Sequence, residues 1–209
     1  MTRAGAALRI LALTGLMAAL PLPASAEWHL TPLVGFTFKG GTSIVDTEAA
    51  AAERHWFLGG SVTLIGAGPL GVESIFLYVP GFFQRDEADV PAGTGPVGSR
   101  SLAWMGNVVL ATPRSFNEYG LRPFVSGGLG VLNAKVDYSL AFPLPVRENL
   151  LAFNVGGGAT GFFTDRVGVR FDVRYFRSLR NEELSDLPPA FGSVRLRYWT
   201  AAIGVVIRR

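Results

Sequence analysis

Apolar and polar residues alternate with period two along most of the chain. That period belongs to extended strands, whose successive side chains point to opposite faces. The clearest stretch is Val167 to Phe176. Val167, Val169, Phe171, Val173 and Tyr175 are apolar or aromatic, and Gly168, Arg170, Asp172 and Arg174 lie between them. In a strand the two arginines and the aspartate stand in one row, so Asp172 can pair with either neighbour.

Seven more segments repeat the pattern. They run Trp28 to Phe38, Trp56 to Ile65, Leu70 to Phe82, Ser101 to Thr112, Leu121 to Leu132, Leu151 to Phe163 and Val194 to Ile207. In the third, Leu70, Val72, Phe76 and Tyr78 share one face, with Ser74 as the exception, and Glu73 falls on the other. In the fourth, Leu102, Trp104, Val108 and Leu110 oppose Ser101, Ala103, Met105 and Asn107. In the fifth, Arg122, Phe124, Ser126, Gly128 and Gly130 share the second face.

The connections alternate in length, starting long. Gly40 to His55, Gln84 to Arg100, Asn133 to Asn149 and Ser178 to Phe191 read as long polar loops. Gly66 to Pro69, Pro113 to Gly120 and Thr164 to Arg166 read as turns. Eight strands with long loops on one side and short turns on the other fit a slab crossed eight times. Strands tilted in a bilayer need about 9–11 residues each. A sheet in hydrocarbon must close, because open edges are not tolerated there. The expected fold is all-β: an eight-stranded antiparallel transmembrane β-barrel, both ends periplasmic and the long loops extracellular.

Composition agrees. The chain of 209 residues is 49% hydrophobic and 17% charged, against about 25% charged in soluble domains. Beyond the N-terminus no apolar run reaches the roughly 18 residues of a membrane helix. The first residues read as a secretory signal: Arg3 and Arg9, then apolar Ile10 to Leu22, then Ala24-Ser25-Ala26 as the cleavage site. The expected division is therefore signal peptide 1–26 and barrel 27–209. Export together with a cysteine count of zero leaves no disulfide to staple a small domain. The net charge of +3 comes almost wholly from arginine, the only lysines being Lys39 and Lys135, and no basic run suits nucleic acid.

The rival arrangement is a soluble exported β-barrel with the apolar face inside. The polar face argues against it. It carries mainly Gly, Ser, Thr, Ala and Asn rather than the Lys and Glu of a wetted strand. Small residues suit the crowded lumen of an eight-stranded barrel. Trp28, Trp56, Tyr78, Tyr175 and Trp199 lie near strand ends, as interfacial girdles require.

Asn107-Val108-Val109-Leu110, the stretch Leu121 to Gly130, the Val167 to Phe176 strand and the closing segment together resemble the small OmpA-type outer-membrane β-barrel proteins of Gram-negative bacteria. The resemblance covers Trp28 to Arg209 and implies the barrel alone, with no peptidoglycan-binding domain. It implies residence in the cell outer membrane, contact with outer-membrane lipids and lipopolysaccharide, and recognition by the barrel-insertion machinery. Such barrels usually end in an aromatic residue. This chain ends Val205-Val206-Ile207-Arg208-Arg209, so either Ile207 serves that role or the recognition signal is weaker here.

Glu73, Asn107, Arg122, Arg170, Asp172 and Arg174 are expected to form a polar network inside the barrel. Charges in a narrow lumen must pair, because isolated burial is very costly. The network plugs the barrel on one reading and gates a narrow porin-like channel on the other. A lipid A-modifying enzyme would need a nucleophile beside a histidine and an acid. His55 near Ser61 and Glu53 is a loose association, and His29 stands at a strand start. No catalytic, metal or cofactor residue is assigned. Ile44, Val45, Leu140, Phe142, Leu144 and Leu187 in the loops either pack over the mouth or bind a surface ligand. The reading is a monomeric structural or surface-interaction barrel without enzymatic activity.

Overall fold

A computed structural model describes residues 27–42, 53–66, 68–83, 96–113, 121–138, 146–179 and 195–209. The proposed signal peptide and the apolar loop residues Ile44, Val45, Leu140, Phe142, Leu144 and Leu187 lie outside them. Eight strands form one closed antiparallel barrel: β1 Glu27–Thr42, β2 Trp56–Ile65, β3 Leu70–Pro80, β4 Pro96–Ala111, β5 Leu121–Tyr138, β6 Val146–Phe162, β7 Val167–Ser178 and β8 Leu196–Arg208. Each strand pairs with its sequence neighbours, and β1 closes on β8 from His29↔Arg208 to Thr42↔Leu196.

The faces fall as the alternation requires. Phe171 is 53% exposed and Val173 46%, whereas Arg170 and Arg174 are buried. Trp28, Trp56, Trp104, Val125, Val155 and Ile203 are likewise exposed on the outer face. Ser74 also points outward, and there it accepts a hydrogen bond from Trp104 Nε1 at 3.0 Å. That bond satisfies both polar groups on an otherwise apolar exterior.

Three boundaries differ from the sequence reading. β4 starts at Pro96, inside the second expected loop. The third expected loop, Asn133 to Asn149, is largely strand. The β5–β6 ladder continues through Asn133↔Asn149 and Lys135↔Arg147 to Val136↔Val146, leaving 139–145 as the connection. Polar residues there read as loop because the ladder has run past the apolar band, where alternation no longer marks a strand. Third, β3 ends at Pro80. Gly81, at φ 67, takes a backbone conformation that favours glycine. Phe82 and Phe83 follow it, both fully buried.

The lumen is layered rather than uniformly polar. Toward the long-loop end it is apolar, with Leu77, Phe83, Leu132, Leu150 and Leu196 in one cluster. There Phe82 packs on Tyr198 at 5.2 Å and Tyr198 stacks on Phe176 at 5.1 Å. A smaller cluster of Ile65, Val109, Ala111 and Phe124 lies toward the short-turn end. Along β3 and β4 the polar residues Glu73 and Asn107 stand between the two. The expected polar network is thus one layer of the interior between two apolar ones. Aromatic and aliphatic side chains fill the half of the bore nearer the long loops.

Candidate functional site

The site is a charge layer across the middle of the lumen. β3 supplies Glu73 and β7 supplies Arg170, Asp172 and Arg174 from one face of one strand. In the closed order β1 to β8, β3 and β7 stand four strands apart, on opposite walls. The ion pairs therefore cross the bore. Glu73 Oε1 meets Arg170 Nη1 at 2.6 Å, and Glu73 Oε2 meets Arg174 Nη2 at 3.0 Å. Asp172 Oδ2 receives Arg170 Nη2 and Arg174 Nη2, both at 2.7 Å, and Asp172 Oδ1 receives Arg174 Nε at 3.0 Å.

Two carboxylates and two guanidiniums cancel in formal charge. This matters because every member is buried: the side chains of Glu73 and Arg174 are 0% exposed, Asp172 3% and Arg170 5%. Charges taken out of water are tolerated only with close geometry and satisfied remaining donors and acceptors. The rest of the layer supplies most of those. Asn107 Nδ2 donates to Glu73 Oε2 at 3.1 Å, and Asn154 Nδ2 donates to Asn107 Oδ1 at 2.7 Å. Arg174 Nη1 donates to Asn154 Oδ1 at 3.1 Å, closing a ring through β3, β4, β6 and β7. The Thr63 hydroxyl donates to Glu73 Oε1 at 3.4 Å. Arg170 Nε is the one donor of the four charged side chains without a hydrogen-bond acceptor.

Small residues make the room. Gly156 pairs with Arg174 and Gly158 with Asp172. A Cβ at Gly156 would lie 2.8 Å from both Cα and Cγ of Arg174. On the other flank Ala202 pairs with Asp172 and Gly204 with Arg170. Arg170 also lies over the Phe124 ring, its Cζ 4.3 Å from the centroid.

Five of the six sequence-assigned residues thus meet in one layer: Glu73, Asn107, Arg170, Asp172 and Arg174. Arg122 is buried but lies apart. It begins β5 at the short-turn end, where its Nε donates to Thr112 O at 2.8 Å and its Nη2 to Gly66 O at 3.1 Å and Gly68 O at 2.7 Å. Six residues separate it from Gly128, the partner of Asn107, or about 20 Å of strand, although through Thr160 it stands in register with Arg170 at the edge of the layer. Arg122 staples the turns. Asn154 was the missed member. Its inward position between glycine-rich neighbours was the available signal.

Between Arg122 and Arg170 lies a cavity of about 20 Å³, lined also by His29, Thr63, Phe124 and Thr160. That is room for about one water. His55 and Ser61 are not brought together: six residues along β2 put them about 20 Å apart. Ser61 faces the lumen and accepts from Arg170 Nη1 at 3.5 Å. The His55 ring lies against Phe82 at 5.6 Å.

A closed eight-stranded antiparallel barrel with an apolar outer band and a filled bore is the fold of small outer-membrane β-barrels, and comparison with solved structures matches it there. The chain superposes on Neisserial surface protein A with a TM-score of 0.56 at 11% identity, covering 88% of this chain and 98% of that one. A major outer membrane protein from Thermus thermophilus gives 0.52 at 12% identity, covering 88% and 100%. The Yersinia pestis attachment invasion locus protein Ail, solved with the heparin analogue sucrose octasulfate, gives 0.50 at 11% identity, covering 88% and 99%. No protein-family model matches the chain, and no curated protein matches it in sequence. At these identities the likeness is one of fold.

Proposed function

We propose that the chain is an integral outer-membrane barrel with a sealed bore, serving a structural or surface-interaction role. Its exterior apolar band sits among acyl chains, its short turns and both strand-bearing ends face the periplasm, and its long-loop end faces outward. It carries no enzymatic step and needs no cofactor.

One observation carries the sealed-bore reading: the charge-neutral layer Glu73–Arg170–Asp172–Arg174 bridges opposite walls between two apolar clusters. A porin-like path would have to pass both the ion pairs and the aromatic stack of Phe82, Tyr198 and Phe176. The one-water cavity below the layer is too small for a solute route.

Planar-bilayer recording of the refolded chain tests the reading. No steady conductance is expected. Steady conductance that changes with Arg170→Ala overturns the plug in favour of a gated channel.

A further inference from the structure

Thr160 stands at the centre of a row on the short-turn side of the charge layer. It pairs with Arg122 on β5 and with Arg170 on β7, so Arg122, Thr160 and Arg170 lie abreast on three adjacent strands. Strand spacing puts the backbones of the two arginines about 10 Å apart, with the threonine between them. All three line the recess below the layer. The opposite wall supplies a second pair. His29 on β1 and Thr63 on β2 are cross-strand partners that line the same recess. In the closed order β1 faces β5 and β2 faces β6. The recess is therefore held between an Arg-Thr-Arg wall and a His-Thr wall.

Two nitrogens on these walls have no hydrogen-bond partner. One is Arg170 Nε, whose Nη atoms are taken by Glu73 and Asp172. The other is His29 Nε2, which lies 3.6 Å from Glu27 Oε2, beyond hydrogen-bond reach. Both side chains are more than nine-tenths buried. A buried donor left without an acceptor is costly, so an occupant that accepts from these groups is favoured.

The recess offers about 20 Å³. On the same measure one water needs roughly 10–15 Å³, so the space takes a single-atom occupant with a small margin. Phosphate, sulfate and carboxylate groups are too large for it. The lining residues keep 3–8% exposure, whereas Leu132, Phe176, Leu196 and Tyr198 on the far side of the layer have none. Access is from the short-turn end, and the charge layer closes the recess above.

We infer that the recess between Arg122, Thr160 and Arg170 is a binding site for a halide ion, with chloride as its natural occupant. Donor chemistry selects the ion. Guanidinium nitrogens donate and never accept, so anything that touches both arginines must accept from both. A threonine hydroxyl can turn its hydrogen toward the same point, and His29 adds a donor in the tautomer that carries its proton on Nε2. A halide accepts from all of them. A water has two hydrogens of its own to place as well, beside the apolar Ile65, Val109 and Ala111. Hydrogen bonds from a guanidinium to an anion are also stronger than those to a neutral oxygen. The site belongs to the bore, and it does not depend on what surrounds the barrel wall.

The test uses the full chain refolded in neutral detergent, with a heat-modifiability gel to establish that each sample is folded. Crystals grown with gluconate as the small anion are soaked in sodium bromide. Anomalous scattering should place one bromide in the recess, in contact with Arg170 Nε. In solution the urea midpoint should rise and saturate as chloride replaces gluconate at constant ionic strength, and bromide should reproduce the rise. Thr160→Val keeps the size of the side chain and removes its hydroxyl. Arg122→Gln removes one guanidinium. Each folded variant should bind bromide about tenfold more weakly. A recess that holds water and gives no anomalous signal overturns the inference. Coincident unfolding curves in chloride and gluconate do the same. Both results come from the unmodified chain, so they decide the matter even where neither variant folds. An undiminished chloride response in both folded variants places the ion elsewhere and also overturns the site.

Discussion

Glu73 and Arg170, 97 residues apart in sequence and on opposite walls of the barrel, meet at 2.6 Å in the centre of the lumen. The pair ties the first half of the chain to the second across the bore. It is joined by Asp172 and Arg174, so that neither carboxylate depends on a single partner.

Removing one member leaves an uncompensated buried charge. Glu73→Ala should destabilise the barrel by about 3–5 kcal/mol, read from urea unfolding in micelles or vesicles. Arg174→Ala should cost a similar amount. The double variant should fall well short of the sum, because the surviving pair Arg170–Asp172 is again neutral. Additivity would show that the layer does not act as a unit.

Gly156→Val should destabilise by about 1–3 kcal/mol, since its Cβ would press on the backbone and side chain of Arg174 at 2.8 Å. The same change at Gly161, whose Cβ would meet only Leu121 Cδ1 at 3.6 Å, should be mild. Parallel unfolding curves for the two variants check the contrast.

Phe176→Ala removes a ring from the aromatic stack above the charge layer. A loss of about 3–5 kcal/mol is expected, as for other buried aromatics. Conductance in planar bilayers should stay absent, because the ion pairs still close the bore. A pore opened by this change alone would move the seal from the charges to the aromatics.

Phe171→Arg places a charge on the exposed outer face midway along β7. In a bilayer it should cost about 2–4 kcal/mol. In a water-surrounded barrel an exposed arginine would be near neutral. Unfolding from lipid vesicles distinguishes the two.

The assignment of faces was legible throughout, because period two survives wherever one side of a strand meets hydrocarbon. Even Ser74 was marked by its break in the pattern. Its partner Trp104 was not, since that contact depends on the β3–β4 register, which pairs Ser74 with Gly106 and Phe76 with Trp104. The charge layer was legible as a row on β7 plus Glu73. What joined them was closure of the sheet, a long-range property absent from any single segment. The inward face of Asn154 was legible too, but its partners Asn107 and Arg174 were hidden for the same reason. Phe82 and Phe83 escaped because they follow Gly81, where the strand has ended and alternation no longer tells in from out.

Quenching of Trp104 fluorescence tests the central claim most directly. Trp104 is 65% exposed on the outer face of β4. In a variant that keeps it as the sole tryptophan, reconstituted in vesicles, bromine on the lipid acyl chains should quench it strongly and aqueous iodide hardly at all. Quenching by iodide with no response to brominated lipid would mean that water surrounds the barrel wall, contradicting the membrane reading.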